Sequence, residues 1–333
     1  MKNTLSPKEL ASAIGVSESS LKRWADDGRL AVNRTVGGHR RISLQEAIRF
    51  AREANLPVLR PEVLGLPELA AARAARGQKS GDATALLTEK LLQGYTDEAR
   101  AIILELYLAG KSVAFLCDHT IRHAMAEIGK LYRHREDGIL IEHRATDACI
   151  QSLNVLRHLI ERPTQPPTDT QDRDPNASPP DAPPIAVGGA PAGDPYLLAS
   201  IMATVVLADL GYKSVNLGPD TPIRTLALTI DTYLPRLVWL SCSVPESMPA
   251  ASALTTLCDR AAAIDAQVVL GGRGLGNAPS VSNLHVFDTM TEFGSFARGV
   301  LAARGQRHPD PTDHAHADPT GPDRADAAID RAG

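Results

Sequence analysis

The sequence has little cysteine and little aromatic residue content. Its four cysteines, Cys117, Cys149, Cys242 and Cys258, lie far apart, and none belongs to a CxxC pair. A chain of 333 residues is also far larger than the small scaffolds that depend on disulfides. This cysteine usage predicts buried free thiols in a reducing compartment.

Long hydrophobic runs and an overall positive charge are also missing. No apolar stretch reaches the roughly 20 residues that a membrane span needs, and the N-terminal "MKNTLSPKEL" has no apolar leader region. We therefore expect a cytoplasmic protein without a membrane partner. The formal net charge is −4, yet residues 1–60 contain 11 Lys/Arg against six Asp/Glu, so any basic surface is local to this segment.

Proline-rich stretches divide the chain. Residues 163–184 contain eight prolines and almost no apolar side chains, which predicts a disordered linker, and 305–333 reads as a disordered tail. His308, His314 and His316 of that tail allow metal binding, but a solvated tail explains them as well. Three prolines after Ala54 indicate a further linker at 61–83. The predicted domains are therefore 1–60, 84–162 and 185–304.

The first domain has the pattern of a helix-turn-helix. Ser6, Pro7 and Glu9 form a capping box with proline at the first helical position, and Ser17 can cap a second helix after the Gly15 turn. The second helix of such a pair projects its N-terminal residues into the major groove of DNA. The candidate base-reading residues are Ser19, Ser20, Lys22 and Arg23.

A basic hairpin follows the two helices. "LAVNRTVGGHRRIS" alternates apolar and polar residues around a glycine turn. The candidate phosphate-binding residues of this wing are Arg34, Gly37, Gly38, His39, Arg40 and Arg41. This first domain resembles the N-terminal domain of MerR-family transcription regulators, which implies that it binds double-stranded operator DNA. A small helical domain with a solvated basic face is the alternative.

The second domain, 84–162, shows helical periodicity throughout and predicts a four-helix bundle. In "LYRHREDGILIEH", Tyr132 lies ten positions before Glu142, which is followed by His143. Gly138 indicates a turn between them, so these side chains can face one another. A solvated helix end explains Glu142 and His143 equally well.

The third domain alternates strands and helices, which predicts a doubly wound parallel sheet. The strands are expected at 185–189, 212–218, 236–243, 266–272 and 283–288. Ligands of such sheets bind beyond the carboxyl ends of the strands. Glycines there let the backbone approach a flat ligand, and small hydroxyl residues leave room for a nucleotide tail to enter the sheet. "GGAPAGD" lacks the G-x-G-x-x-G spacing of a dinucleotide site.

This domain resembles the cobalamin-binding fold. The resemblance rests on Asp194, Tyr196, Ser241, Ser243, Gly271 and Gly272. Tyr196 stands where the family has the histidine that ligates cobalt, and a phenol with a pKa near 10 is a poor metal ligand, so no protein metal ligand is expected. The three-domain order resembles the light-responsive, adenosylcobalamin-dependent repressors of carotenoid synthesis. That resemblance implies that Tyr132, Glu142 and His143 cover the upper face of the corrin.

These observations predict a multidomain α and α/β protein with a winged helix-turn-helix head. Its expected function is transcription regulation rather than catalysis, with a C-terminal module that senses a tetrapyrrole or controls homo-oligomer formation. Three ligand states stay open: cobalamin without a protein axial ligand, heme, or no ligand in a vestigial pocket. A corrinoid-binding methyl-transfer component is a further alternative, which leaves the basic head unexplained.

Overall fold

The computed structural model describes residues 3–35, 37–76, 82–131, 136–161, 182–275 and 278–305. Most of the predicted 163–184 linker and the tail beyond Gly305 lie outside these ranges, and so do Tyr132 and the tail histidines. Among the described residues, no helix is long and apolar enough to cross a membrane.

The head (residues 3–60) combines three helices with a small antiparallel sheet. Its helices are α1 (Pro7–Ile14), α2 (Glu18–Asp26) and α3 (Leu44–Glu53). Its strands are β1 (Thr4–Leu5), β2 (Asn33–Arg34) and β3 (Arg40–Ser43), in the order β1-β3-β2. The side chains of Ser6, Ser17 and Ser43 each accept a backbone N–H at the start of a helix. Gly15 adopts the left-handed conformation (φ 71°) that the turn between α1 and α2 requires.

Six helices form the second layer. They are α4 (Pro67–Arg76), α5 (Ala83–Gln93), α6 (Thr96–Leu108), α7 (Val113–Phe115), α8 (Arg122–Leu131) and α9 (Gly138–Ile160). A π-helical turn, Leu116–Ile121, joins α7 to α8, so the two run as one helix. Such turns are frequent at functional sites.

The segment 61–83, predicted as a linker, is folded over 61–76. Residues 61–64 form a 3₁₀ turn, and α4 packs on α6, where Arg73 Nε lies 3.0 Å from Glu105 Oε1. Pro61 and Pro67 are each the first residue of a helical turn. Proline costs nothing there, because that N–H has no partner within the helix. The prolines therefore start helical structure in this segment rather than interrupt it.

The third layer is a parallel five-stranded sheet with helices on both faces, which confirms the predicted class. The strands are β4 (Ile185–Gly189), β5 (Lys213–Asn216), β6 (Leu237–Ser241), β7 (Gln267–Gly271) and β8 (Leu284–Phe287). The helices are α10 (Leu198–Asp209), α11 (Ile223–Tyr233), α12 (Ala251–Ala262) and α13 (Met290–Gly305). The strand order β5-β4-β6-β7-β8 puts the topological switch point between β4 and β6.

One apolar core connects the three layers. It extends from the head through α4–α9 to the sheet face covered by α10 and α13, and a separate core lies under α11 and α12. Helix α9 packs against both α3 of the head and α10 of the sheet domain. The head therefore packs directly on the helical layer, in addition to being connected to it by the chain.

Candidate functional site

The first candidate surface lies on α2 of the head. The Ser17 hydroxyl accepts the Ser20 N–H at 3.2 Å and lies within 2.9 Å of the hydroxyls of Ser19 and Ser20. Lys22 and Arg23 are exposed one turn further along the helix. The N-terminal half of α2 thus presents hydroxyls and two cations to solvent.

The hairpin lies beside this helix. Asn33 pairs with Arg41 and Arg34 with Arg40, and Gly38 has the positive φ (77°) that the turn needs. The head's predicted contact residues are exposed on the hairpin, except that Arg40 is half-buried by an ion pair with Asp26 (3.1 Å).

A shallow groove of about 450 Å³ separates α2 from the hairpin, with Ser19 and Lys22 on one wall and Arg40 on the other. The structure therefore brings members of both predicted sets, Ser19 and Lys22 from α2 and Arg40 from the hairpin, to one groove of the head.

The second candidate site is a cleft of about 390 Å³ between the helical layer and the carboxyl ends of the strands. It lies beside the switch point, where ligands of doubly wound sheets bind. Six of the predicted cofactor residues line it: Glu142, Tyr196, Ser241, Ser243, Gly271 and Gly272. The other lining side chains are mainly apolar, as in most small-molecule sites.

Asp194 does not line the cleft but lies buried behind its wall, where it holds two loops together. Its side chain is fully buried, and its carboxylate accepts hydrogen bonds from the backbone N–H groups of Tyr196 (3.0 Å) and Ser243. These bonds tie the loop after β4 to the loop after β6. Tyr196, held by this arrangement, remains 54% exposed at the edge of the cleft.

The glycine pair after β7 permits a close backbone approach. Gly272 has a φ of +128°, and a Cβ there would lie 2.1 Å from the carbonyl oxygen of Cys242. No other residue fits this position without backbone movement. The pair therefore joins the ends of β6 and β7 under the cleft.

The floor of the cleft is formed by a residue that the sequence analysis did not single out. Trp239 of β6 is only 1% exposed, and its indole packs so closely on β4 that a Cβ at Gly188 would lie 2.2 Å from Trp239 Cδ2. The expected room for a nucleotide tail next to Ser241 is occupied by this ring. Trp239 Nε1 and Ser241 Oγ are buried and have no hydrogen-bond partner among the described residues.

Glu142 and His143 of the upper wall lie close together, with Glu142 Oε2 3.7 Å from His143 Nε2, but they differ in exposure. Glu142 lines the cleft and accepts a hydrogen bond from Thr146 Oγ1 (3.1 Å) one turn along α9. His143 does not line it, and its side chain is 75% exposed. Adjacent residues of a helix point about 100° apart, which agrees with the different exposure of the two side chains (25% for Glu142 and 75% for His143). The structure thus places Glu142 in the cleft wall with His143 exposed beside it, and a role of both residues in covering a ligand stays a prediction.

Asp118, in the π-helical turn, joins the helical layer to the sheet domain at the cleft. Its carboxylate accepts hydrogen bonds from Met290 N (2.9 Å), Thr291 N (2.8 Å) and Thr291 Oγ1 (2.6 Å) at the N-terminus of α13. Next to it, Arg122 Nη1 donates to the carbonyl of Asp288 (3.0 Å). An acidic residue within the largely apolar run "AFLCDHTI" could have indicated a buried, partnered carboxylate, but nothing in the sequence identified the partner.

The described residues of the cleft include no imidazole that could serve as an axial ligand for cobalt. No histidine is among its described lining residues, and among the described residues no group of three metal-ligating side chains occurs. Cys117 lines the cleft, but burial raises the pKa of its thiol well above the ordinary value, so the sulfur stays protonated. Together with the closed floor, this arrangement does not fit cobalamin held by a protein ligand with its tail inserted in the sheet.

Comparison with known families supports the assignment of the head. Residues 4–54 match the model of a helix-turn-helix domain. The head is a helix-turn-helix domain. The match spans the α1–α2 pair and the hairpin, together with α3, which seats this domain on α9. A search of curated proteins gave no match to the chain.

Comparison with solved structures gives distant matches. The monomethylamine corrinoid protein of Methanosarcina barkeri has a TM-score of 0.46 and 14% identity, covering 65% of this chain and 96% of its own. The methanol:cobalamin methyltransferase complex MtaBC of the same organism has a TM-score of 0.32 and 15% identity (72% and 89% covered). A cobalamin-binding protein of Desulfitobacterium hafniense DCB-2 has a TM-score of 0.29 and 15% identity (67% and 98% covered).

Proposed function

We propose that the protein is a homo-oligomeric transcription regulator that binds operator DNA through its helix-turn-helix domain and a tetrapyrrole-type ring in its cleft. One observation carries the proposal: two of the helices that line the cleft connect it to the head, α9 by direct packing on α3 and α10 through Tyr107 of α6. Binding in the cleft can therefore alter how the heads are presented.

The exposed cations of the head fit a duplex. In helix-turn-helix proteins the second helix lies in the major groove, which places Ser19, Lys22 and Arg23 of α2 near base edges. The guanidinium groups of Arg34 and Arg41 on the hairpin have no ion-pair or hydrogen-bond partner among the described residues, so they are available to phosphates. Asp26 engages Arg40 and leaves it the weaker candidate.

Helix α9 provides the first connection between the cleft and the head. Glu142 and Thr146, near its start, line the cleft. Near its end, the carbonyl of His158 accepts a hydrogen bond from the buried Gln45 of α3 (3.1 Å). A ligand that displaced α9 would therefore also displace the residues of α9 on which α3 packs.

Helix α10 provides the second connection. Leu198 and Met202 line the cleft, and Asp209 at the other end accepts hydrogen bonds from Tyr107 Oη (3.0 Å) and Val113 N (3.3 Å). The Arg52 guanidinium of the head lies 3.4 Å above the Tyr107 ring. Burial raises the pKa of Tyr107, so its phenol remains a donor to Asp209 at physiological pH. This chain of contacts runs from a helix that a cleft ligand would touch to α3 of the DNA-binding head.

Coupling between the two sites follows if the ligand prefers one arrangement of α9 and α10 over another. In an oligomer, such a change decides how many heads reach one stretch of DNA, and avidity multiplies its effect. A ligand-independent regulator is the second candidate, and the Trp239-filled floor is the observation that favours it. Nothing in the described cleft assigns a catalytic group, so we propose no enzymatic step.

Removal of two hairpin cations tests the DNA-binding half of the proposal. The double variant Arg34→Ala/Arg41→Ala should weaken binding to duplexes of any sequence and reduce the slope of log K against log salt by about 2. Fluorescence anisotropy of a labelled duplex between about 50 and 200 mM salt measures both effects.

The matched control is Arg224→Ala/Arg298→Ala, which removes the same charge from exposed positions on α11 and α13. It should leave the slope unchanged. Equal slopes for the wild type and the hairpin variant would refute the assignment of the hairpin to phosphate contacts.

A further inference from the structure

We infer that the cleft accepts a ring compound without a nucleotide tail and discriminates against intact cobalamin. This selectivity is the reverse of what the resemblance implies, and it rests on the proposed role of the cleft as a ring-binding site. The observations that carry it are the closed floor, two unpartnered polar atoms and the absence of an imidazole from the described lining.

The floor is closed by packed protein atoms. The Trp239 indole is buried against Gly188 of the neighbouring strand, at a spacing that leaves no room for even one added carbon. A tail entering between the sheet and α10 would have to displace this indole. Moving a fully packed tryptophan out of a core is costly, because interiors are close-packed.

The space next to Trp239, toward β5, is closed by hydrogen bonds. Asn216 of β5 accepts a hydrogen bond from Ser200 Oγ (2.9 Å), and its amide donates to Thr204 Oγ1 (2.9 Å). Ser200 and Thr204 lie on α10 and are fully buried. These bonds hold α10 against the sheet, so the helix does not leave a slot beside the indole.

The described cleft also offers no ligand that would displace the nucleotide base of cobalamin from its cobalt. In cobalamin the nucleotide base coordinates the lower face of cobalt, and only a competing ligand displaces it. No histidine lines the described cleft, and Tyr196 is a poor substitute. The base would therefore stay under the ring, where the closed floor leaves it no space.

The unpartnered polar atoms indicate what the ligand must carry. Trp239 Nε1 and Ser241 Oγ belong to lining residues that are 1% and 4% exposed, and neither atom has a hydrogen-bond partner among the described residues. A buried donor without an acceptor is unfavourable, so a ligand with a carbonyl or carboxylate oxygen at its inner edge gains from both. The amide side chains of a corrin or the propionates of heme supply such oxygens.

A matched pair of probes tests the inference: dicyanocobinamide and cyanocobalamin share the corrin ring, and only the second has the nucleotide tail. Titration of the full-length protein, followed by tryptophan fluorescence in a Trp24→Phe background, reports from Trp239 in the cleft. We expect dicyanocobinamide to bind at least about ten-fold more tightly than cyanocobalamin.

Two substitutions at the floor separate the effects of volume and hydrogen bonding, with retained absorbance after desalting as the readout. Trp239→Ala should open the floor and reduce the preference to less than about three-fold. Trp239→Phe keeps the floor closed but removes the N–H, so the preference should persist while cobinamide binds about five-fold more weakly.

Retained absorbance of the two probes after desalting can also be compared in the wild-type protein, so the test does not depend on a variant that folds. Equal or tighter binding of cyanocobalamin, or no binding of dicyanocobinamide, would overturn the inference. DNA titration of the same protein keeps the two proposals apart, because a sample that binds duplex but neither probe refutes only the ring-binding cleft. A sample that binds cobinamide but no duplex refutes the proposed regulator instead.

Discussion

Replacement of Asp118 by alanine should destabilise the contact between the helical layer and the sheet domain. The Asp118 carboxylate is 8% exposed and accepts three hydrogen bonds from Met290 and Thr291 at the start of α13. Hydrogen bonds to a charged group contribute about 1.5–3 kcal/mol each, and partial rehydration of the released donors lowers the sum. We expect Asp118→Ala to reduce the free energy of unfolding by about 4 kcal/mol, within the range for breaking a buried charged contact.

The control for this variant lies on the same helical run. Glu127 is exposed on α8 and pairs only with Lys130 on the surface, so Glu127→Ala should cost at most about 0.5 kcal/mol. Urea denaturation followed by Trp239 fluorescence in the Trp24→Phe background compares the two variants within one cooperative unit. Asp118→Asn, which keeps the acceptor oxygen, should fall between them.

Amide hydrogen exchange adds a local test. Asp118→Ala should accelerate exchange at Thr291 and along the first turn of α13, whereas Glu127→Ala should not. If Asp118→Ala and Glu127→Ala shift the denaturation midpoint equally, the role assigned to Asp118 is refuted.

Three further predictions follow from buried titratable groups. Tyr107→Phe should lower the free energy of unfolding by about 1–2 kcal/mol and reduce the effect of the cleft ligand on DNA affinity, leaving the part carried by α9; an unchanged effect on DNA affinity would argue against the α10 connection. Burial raises the pKa of Cys149 to about 12 and that of Cys258 to about 11, so both thiols are protonated at pH 8. The native protein should therefore react with a thiol reagent far more slowly than the urea-denatured protein, and thiol titration at pH 8 measures this difference. Burial lowers the pKa of His285, so the unfolded state binds a proton at this side chain more readily than the native state does. The free energy of unfolding should therefore fall as the pH drops below about 6.5. Urea denaturation at several pH values should show a smaller fall for His285→Asn than for the wild type.

Local sequence signals predicted most of the secondary structure. The serine caps at the starts of α1, α2 and α3 act within three residues, and the β-rich runs of the third domain alternate with helical segments, so both patterns can be read without knowledge of the fold. The predicted strands agree with β4–β8 to within two residues at each end.

Features that depend on contacts between distant residues could not be read in this way. Asp118 accepts hydrogen bonds from Met290 and Thr291, which lie 172 and 173 positions further along the chain. Trp239 of β6 packs against Gly188 of the neighbouring strand β4, 51 positions before it. The motif placed His143 beside Glu142, and their side chains do lie 3.7 Å apart, but the motif gave no sign that His143 would be 75% exposed. Prolines that begin a helical turn and prolines that break one look alike in sequence, which is why 61–83 was predicted to be a linker.

The most direct test of the account measures DNA affinity with and without dicyanocobinamide in the cleft. The wild-type protein should bind a duplex with an affinity that changes by about five-fold or more when the ring saturates the cleft, the lower end of typical allosteric couplings. Identical DNA affinity at saturating dicyanocobinamide would contradict the claim that the cleft and the head act on one another through α9 and α10.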